Sequence, residues 1–185
     1  MHRQAFTLIE IMVAVSIIAV LSAMMVPSLM GSQRKATLRS EAQRLYDTAR
    51  YVQRMAVVKQ QTLRLVLVLE DPEHDGRSSY HLELATTDLD EPETYSRVEG
   101  GAVKPVVLPE GVQLLDVLRD IGGYEVLAGE ISLRFFADGS ADGAVILIGD
   151  DQEVRSIIVE PMTGRVELVP QRVETMPSLR EDLDA

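Results

Sequence analysis

The sequence has no cysteine and no tryptophan, three histidines, and an aromatic content of only 4%. The missing cysteines exclude a disulfide framework, a thiolate metal site and a cysteine nucleophile. They are compatible with an oxidising compartment without demonstrating one. So few aromatics leave core building to aliphatic residues, which a hydrophobic fraction of 46% supplies. His2, His74 and His81 show no metal-ligand spacing, and Gly139-Ser140 lacks the flanking pattern of a nucleophile elbow. No enzyme is expected, and no cofactor.

Basic residues are scarce after the first third. Met1 to Gln61 holds eight Lys/Arg and three Asp/Glu, net +5, whereas Thr62 to Ala185 holds ten basic and twenty-six acidic residues, net −16. A nucleic-acid binder would carry its basic excess on the folded domain, so nucleic acid is not an expected partner. The asymmetry reads either as solubility of the acidic part or as attraction between basic stems and acidic heads of neighbouring copies.

What is present in quantity is a long apolar run. Ile11 to Met30 is twenty uncharged residues, enough at about 1.5 Å per residue to span a hydrocarbon core of about 30 Å. It exceeds the roughly 7–15 residues of a secretory signal, although Leu21-Ser22-Ala23 loosely resembles a signal peptidase site. Glu10 lies inside this apolar segment, after Phe6-Thr7-Leu8-Ile9. A carboxylate at the bilayer centre costs roughly 2.5–3.5 kcal/mol on insertion scales, less near a segment end. Glu10 is therefore either a headgroup-level boundary marker or a charge kept for a partner.

Ala5-Phe6-Thr7-Leu8-Ile9-Glu10 and the apolar run behind it resemble the N-terminal signal of type IV pilins and type II secretion pseudopilins. The resemblance implies a leader, Met1 to Ala5, removed by a prepilin peptidase that then methylates Phe6. It implies an assembly role for Glu10, a helix-kinking Pro27, an inner-membrane stem from Phe6 to Met30 and a periplasmic head. The family usually has Gly before the cut, where this chain has Ala5. Arg34, Lys35 and Arg39 follow the apolar run, and by the positive-inside rule alone they favour the opposite topology.

Beyond the run, Leu38, Ala42, Leu45, Ala49, Val52 and Ala56 recur at alternating steps of four and three, an apolar stripe on one helical face. No Pro or Gly interrupts Ser32 to Gln61. A continuous helix from Phe6 to Gln61, about 80 Å long with a bend at Pro27, is expected, its second half (31–61) packing on the sheet that follows. Strands are expected at 63–69, 80–84, 104–108, 113–118 (ambiguous with a helical turn), 131–136, 144–148, 154–159 and 165–169. The last four are joined by short turn-rich links and predict an antiparallel meander. Residues 86–101 read as an exposed acidic loop, and the head (62–170) is followed by an acidic flexible tail, 171–185.

Ile131-Ser132-Leu133-Arg134-Phe135-Phe136, Asp138-Gly139-Ser140 and Ile157 to Val166 resemble the closing pattern of GspH/FimT-type minor pseudopilins. That resemblance implies an α+β fold, a long helix packed on a mostly antiparallel, sandwich-like β head. It also implies a tip position in a pseudopilus and partners among other minor and major pseudopilins and an inner-membrane assembly platform. Two alternatives stay open: a FimT-like minor pilin of a type IV pilus with a role in DNA uptake through Arg165 and Arg172, and an anchored periplasmic binding module that never polymerises. Calcium ligands could come from Asp71, Glu73 and Asp75, or from Asp138 and Asp142. Neither loop has the spacing of an EF-hand, and solvated turns are expected.

Overall fold

The structure is a computed structural model describing residues 8–86, 94–98, 104–120, 124–127 and 129–174, with 22–32, 86, 120 and 124–127 described by backbone alone. Two compact units divide between Thr37 and Leu38. The first is built from the early turns of helix α1 (Leu8–Lys59), and the second holds the rest of α1 and all the strands.

In the second unit the expected stripe is the packing face. Leu38, Ala42, Leu45, Ala49, Val52 and Ala56 are each fully buried and share one core with the inward faces of two sheets. Small and larger side chains alternate along this face, Ala42, Ala49 and Ala56 between Leu38, Leu45 and Val52, so it interleaves with the inward side chains of the strands. The helix ends without glycine or proline. Gln60 takes the left-handed conformation (φ 52°); its amide donates to the Val57 carbonyl at 3.3 Å, and the Gln61 amide donates to the Ala56 carbonyl at 3.2 Å. That is the paired closure of a Schellman end, reinforced by the Gln60 side-chain amide donating to the same Val57 carbonyl at 2.7 Å.

The strands are β1 (Leu63–Asp71), β2 (Arg77–Thr86), β3 (Thr94–Arg97), β4 (Val106–Val107), β5 (Gln113–Asp120), β6 (Tyr124–Leu127), β7 (Glu130–Phe135), β8 (Ala144–Gly149), β9 (Val154–Val159) and β10 (Val166–Val169). They form two antiparallel sheets: β3-β2-β1-β7 with β4 also on β2, and β10-β9-β8-β5-β6. The expected class, a helix packed on antiparallel β layers, is what the chain adopts. Alternation explains the first sheet: Leu63, Leu65 and Leu67 face the core, with Arg64 and Val68 on the opposite face. In β8 every residue is buried, because its outward residues Val145 and Leu147 sit in a second apolar cluster with Leu118 and Ile158, flanked by Val154, Val169 and Val173.

The meander expected over 131–169 is corrected. Strand β7 pairs with β1 in the first sheet, and β8, β9 and β10 form the meander in the second. The link Phe136 to Gly143 therefore crosses between layers, since the α1 stripe needs both sheets to close one core. The loop expected over 86–101 contains β3, which pairs with Glu83 to Thr86. The turn after β1 contains a 3-10 helix, Pro72–His74. Expected strand 104–108 shrinks to two residues, between Pro105 and Pro109, which have no amide to donate.

The two sheets are tied by one hydroxyl that nothing in the sequence marks. Ser78 is fully buried; its Oγ donates to the Leu69 carbonyl at 2.6 Å and accepts the Leu114 amide at 2.9 Å. A residue of β2 thereby satisfies a backbone group of the other sheet, where no ladder could.

Candidate functional site

Glu10 lies in the first turn of α1, where the helix dipole favours a negative charge. Around it the stem is bare: Leu8, Ile9, Ile11, Met12, Val13, Val15, Ile17, Ile18, Val20 and Leu21 are all more than half exposed. A stripe would cover one side of a helix; here the apolar residues run round it, which is the pattern of a helix that packs against something on every side. Ser16 returns its hydroxyl to the Met12 carbonyl at 2.8 Å, the way a polar side chain is satisfied on an apolar helix. Ala5 and Phe6, the two sides of the expected cut, lie outside the described residues, and Pro27 falls in the stretch described by backbone alone, through which α1 continues.

A family profile described as the prokaryotic N-terminal methylation motif matches residues 1–26. Two solved structures of the minor pseudopilin EpsH from the type II secretion system of Vibrio cholerae are similar in fold. One has a TM-score of 0.56 at 13% identity over 75% of this chain and 99% of that one, and the other a TM-score of 0.54 at 16% identity over 76% and 98%. No curated protein matches in sequence. The fold is pilin-like. The chain joins a prepilin-type methylation motif to a head with the fold of a minor pseudopilin.

In this chain of pilin-like fold, no helix among the described residues is long and apolar enough to cross a membrane. The expected span, Ile11 to Met30, has described side chains only as far as Leu21.

The residues weighed for other chemistry take structural places. Asp71, Glu73 and His74 hold ligand atoms within 4.8 Å of one another, and Asp75 stands outside the group. Asp71 is already committed. One oxygen accepts the Glu73 amide at 2.9 Å, capping the 3-10 helix, and the other accepts the Ser79 hydroxyl at 2.5 Å and meets His74 Nδ1 at 2.8 Å. Asp138 and Asp142 are not brought together as a ligand pair: Asp138 accepts the Ser140 amide and hydroxyl, and Asp142 is held by Arg134 and Arg119 at 3.0 and 3.1 Å. Ser140 is thus a turn residue. His81, which showed no metal-ligand spacing, is buried on β2 between Glu83 (3.4 Å) and Arg97 (3.1 Å). Arg64 pairs with Glu83 and stacks on Tyr95 at 3.8 Å from the ring centre. Of the arginines weighed for DNA, Arg165 pairs with Glu167 and Arg172 with Glu174.

The Asp71 bonds have a measurable consequence. The Ser79 hydroxyl first, helped by His74 and the Glu73 amide, holds the Asp71 carboxyl below the ordinary carboxylate value against the opposing effect of burial. A carboxyl depressed in the folded state contributes stability at neutral pH that disappears as pH falls from about 4 through its lowered value. In urea melts at pH 7, Asp71→Asn is expected to be destabilised relative to wild type. The gap should narrow toward pH 3, and a gap independent of pH would show that the charge of Asp71 contributes nothing.

Proposed function

We propose that this chain is a minor pseudopilin of a type II secretion system, a structural subunit without catalytic activity. A prepilin peptidase cuts between Ala5 and Phe6 and methylates Phe6, and the subunit waits in the inner membrane with its head in the periplasm. It is then taken up by the assembly platform near the tip of a pseudopilus, beside other minor and major pseudopilins. The observation that carries this reading is the union in one chain of the methylation motif over residues 1–26 with a head similar in fold to EpsH. The bare apolar turns around Glu10 support it, since they need either lipid or neighbouring stems as cover.

Glu10 has a specific task in this scheme. Cleavage creates an ammonium group at Phe6, and in an apolar bundle that charge is tolerated only when paired. The Glu10 carboxylate of a neighbouring subunit supplies the pair, so each added subunit matches one acid to one amine at a fixed axial step. Pro27, which has no amide to donate, is where the stem helix can bend.

Intact and N-terminal peptide masses, taken after expression with and without an active prepilin peptidase, test the assignment. Loss of Met1 to Ala5 and gain of one methyl group on Phe6 is expected only with the peptidase. A chain that keeps its leader beside an active peptidase is not a pseudopilin.

A further inference from the structure

Strand β10 is the edge of the second sheet, and among the described residues it pairs with β9 alone. The Glu160 amide donates to the Arg165 carbonyl at 2.9 Å, which sets the phase of the ladder. Bonded pairs then fall at every second position, so the Arg165 carbonyl and the backbone groups of Glu167 and Val169 turn to β9, while the Arg165 amide donates to the Thr163 hydroxyl at 3.2 Å. The amides and carbonyls of Val166 and Leu168 point the other way. Pro170, which has no amide, ends the run.

This edge is the floor of a groove of ≈ 600 Å³, whose far wall is α1 through Tyr46, Arg50, Gln53 and Arg54. The wall is basic. Arg50 donates to the Tyr46 hydroxyl at 3.1 Å and lies over its ring, which aligns it along the groove, and Arg54 is exposed. Arg165 and Glu167 also line the groove and pair with each other, so their charges offset and Arg50 and Arg54 set its sign. The groove thus offers two outward amides, two outward carbonyls and a net positive charge, on a head that is otherwise strongly acidic. Exposed edges attract an added strand, and a basic wall selects an acidic one.

We propose that the groove between α1 and β10 binds an extended acidic segment of another protein chain, which adds to the second sheet as a strand beside Val166 and Leu168. The acidic side chains of that segment, at alternate positions, face Arg50 and Arg54. The segment comes from another chain because this chain leaves β10 in the other direction. Ser156 Oγ on β9 donates to the Gln171 carbonyl at 2.7 Å and accepts the Val173 amide at 2.8 Å, so residues 171–173 run back across β9, away from the free edge. The proposal stands apart from leader processing and from filament type.

The test uses the full-length protein in detergent micelles and a capped Glu-Val-Glu-Val-Glu-Val peptide, with the Lys-for-Glu peptide as control. Binding is followed by fluorescence anisotropy, and amide hydrogen exchange is followed in the protein. The acidic peptide is expected to bind, to slow exchange at Val166 and Leu168, and to bind about tenfold more weakly to the Arg50→Glu/Arg54→Glu double variant. Both arginines are exposed, and unchanged protection of the β8 amides checks that the variant is folded. The proposal is overturned by absence of binding, by equal binding of the basic peptide, or by binding that leaves those two amides or the charge-reversed variant unaffected.

Discussion

Replacing Glu10 by Gln is expected to leave the head folded and the leader removed, yet to exclude the subunit from the filament. Glu10 lies in the first unit, in the opening turn of α1, so its replacement touches none of the core built from Leu38 onward. In the proposed assembly, what changes is the charge offered to the ammonium group of a neighbouring Phe6. Breaking a buried pair by removing one partner costs about 3–5 kcal/mol, because the other charge is left uncompensated. For a step that adds one subunit, that is a loss of about two to four orders of magnitude in the incorporation equilibrium. Sedimentation of sheared filaments, with the tagged variant quantified against wild type, reads it directly. Equal incorporation of the Gln variant would reduce Glu10 to a marker of the membrane boundary, whatever the masses say about processing.

Gly164→Ala is expected to be the most damaging small substitution in the head. Gly164 sits in the turn between β9 and β10 with φ +59°, and a Cβ there would stand 2.3 Å from the Gly139 carbonyl oxygen and 3.1 Å from Gln53 Cγ. The left-handed backbone alone costs a non-glycine residue about 1–2 kcal/mol. The contact with Gly139 is backbone to side chain and cannot be relieved by a rotamer change, so the turn after β9 must part from the β7–β8 link, which lies at the foot of the helix. A total loss of more than about 3 kcal/mol in urea unfolding follows, at the severe end for a point substitution. Gly76→Ala is the control: Gly76 has φ +73° with open space around it, so it carries the conformational cost alone. Equal losses at the two sites would show that the approach of Gly139 has no energetic weight.

Both predictions depend on features that differ in how they are written in the chain. The N-terminal site is a local signal. A short leader, a small residue before Phe6, an acid at Glu10 and an apolar run behind it are all contiguous, so the sequence is enough to find them, and the profile matching residues 1–26 rests on the same stretch. The packing face of α1 was equally legible, because a helix forces residues at steps of three and four onto one side, and all six stripe residues are buried. The groove beside β10 was not. Arg50 and Arg54 stand off the apolar stripe, and Arg165 is one of the two arginines weighed for DNA uptake. Only the return of β10 to the helix brings them together, across more than a hundred residues.

The strands divide in the same way. Their positions follow from runs such as Leu63 to Leu69 and Val154 to Val159, whose composition favours a pleated, half-buried backbone. Their partners do not follow, since hydrogen-bonded ladders are blind to sequence distance. The link through Gly139 reads as one more hairpin turn, yet it carries the chain from one sheet to the other. Likewise β3 is sparse in apolar residues and reads as loop, and it becomes a strand because the edge of β2 is there to pair with it.

By itself, then, the sequence determined the N-terminal signal, the helix with its buried face, the α+β class and the approximate positions of eight of the ten described strands, β3 and β6 being missed, because each is set by residues within a few turns or a few pleats of one another. The tertiary structure alone decided the division of the ten described strands into two sheets, the burial of Ser78 as a bridge between them, the end of α1 at a left-handed Gln60 and the basic groove at the β10 edge. Each of these depends on the single core that α1 and both sheets must close together, a constraint that acts through space and leaves no mark on neighbouring residues.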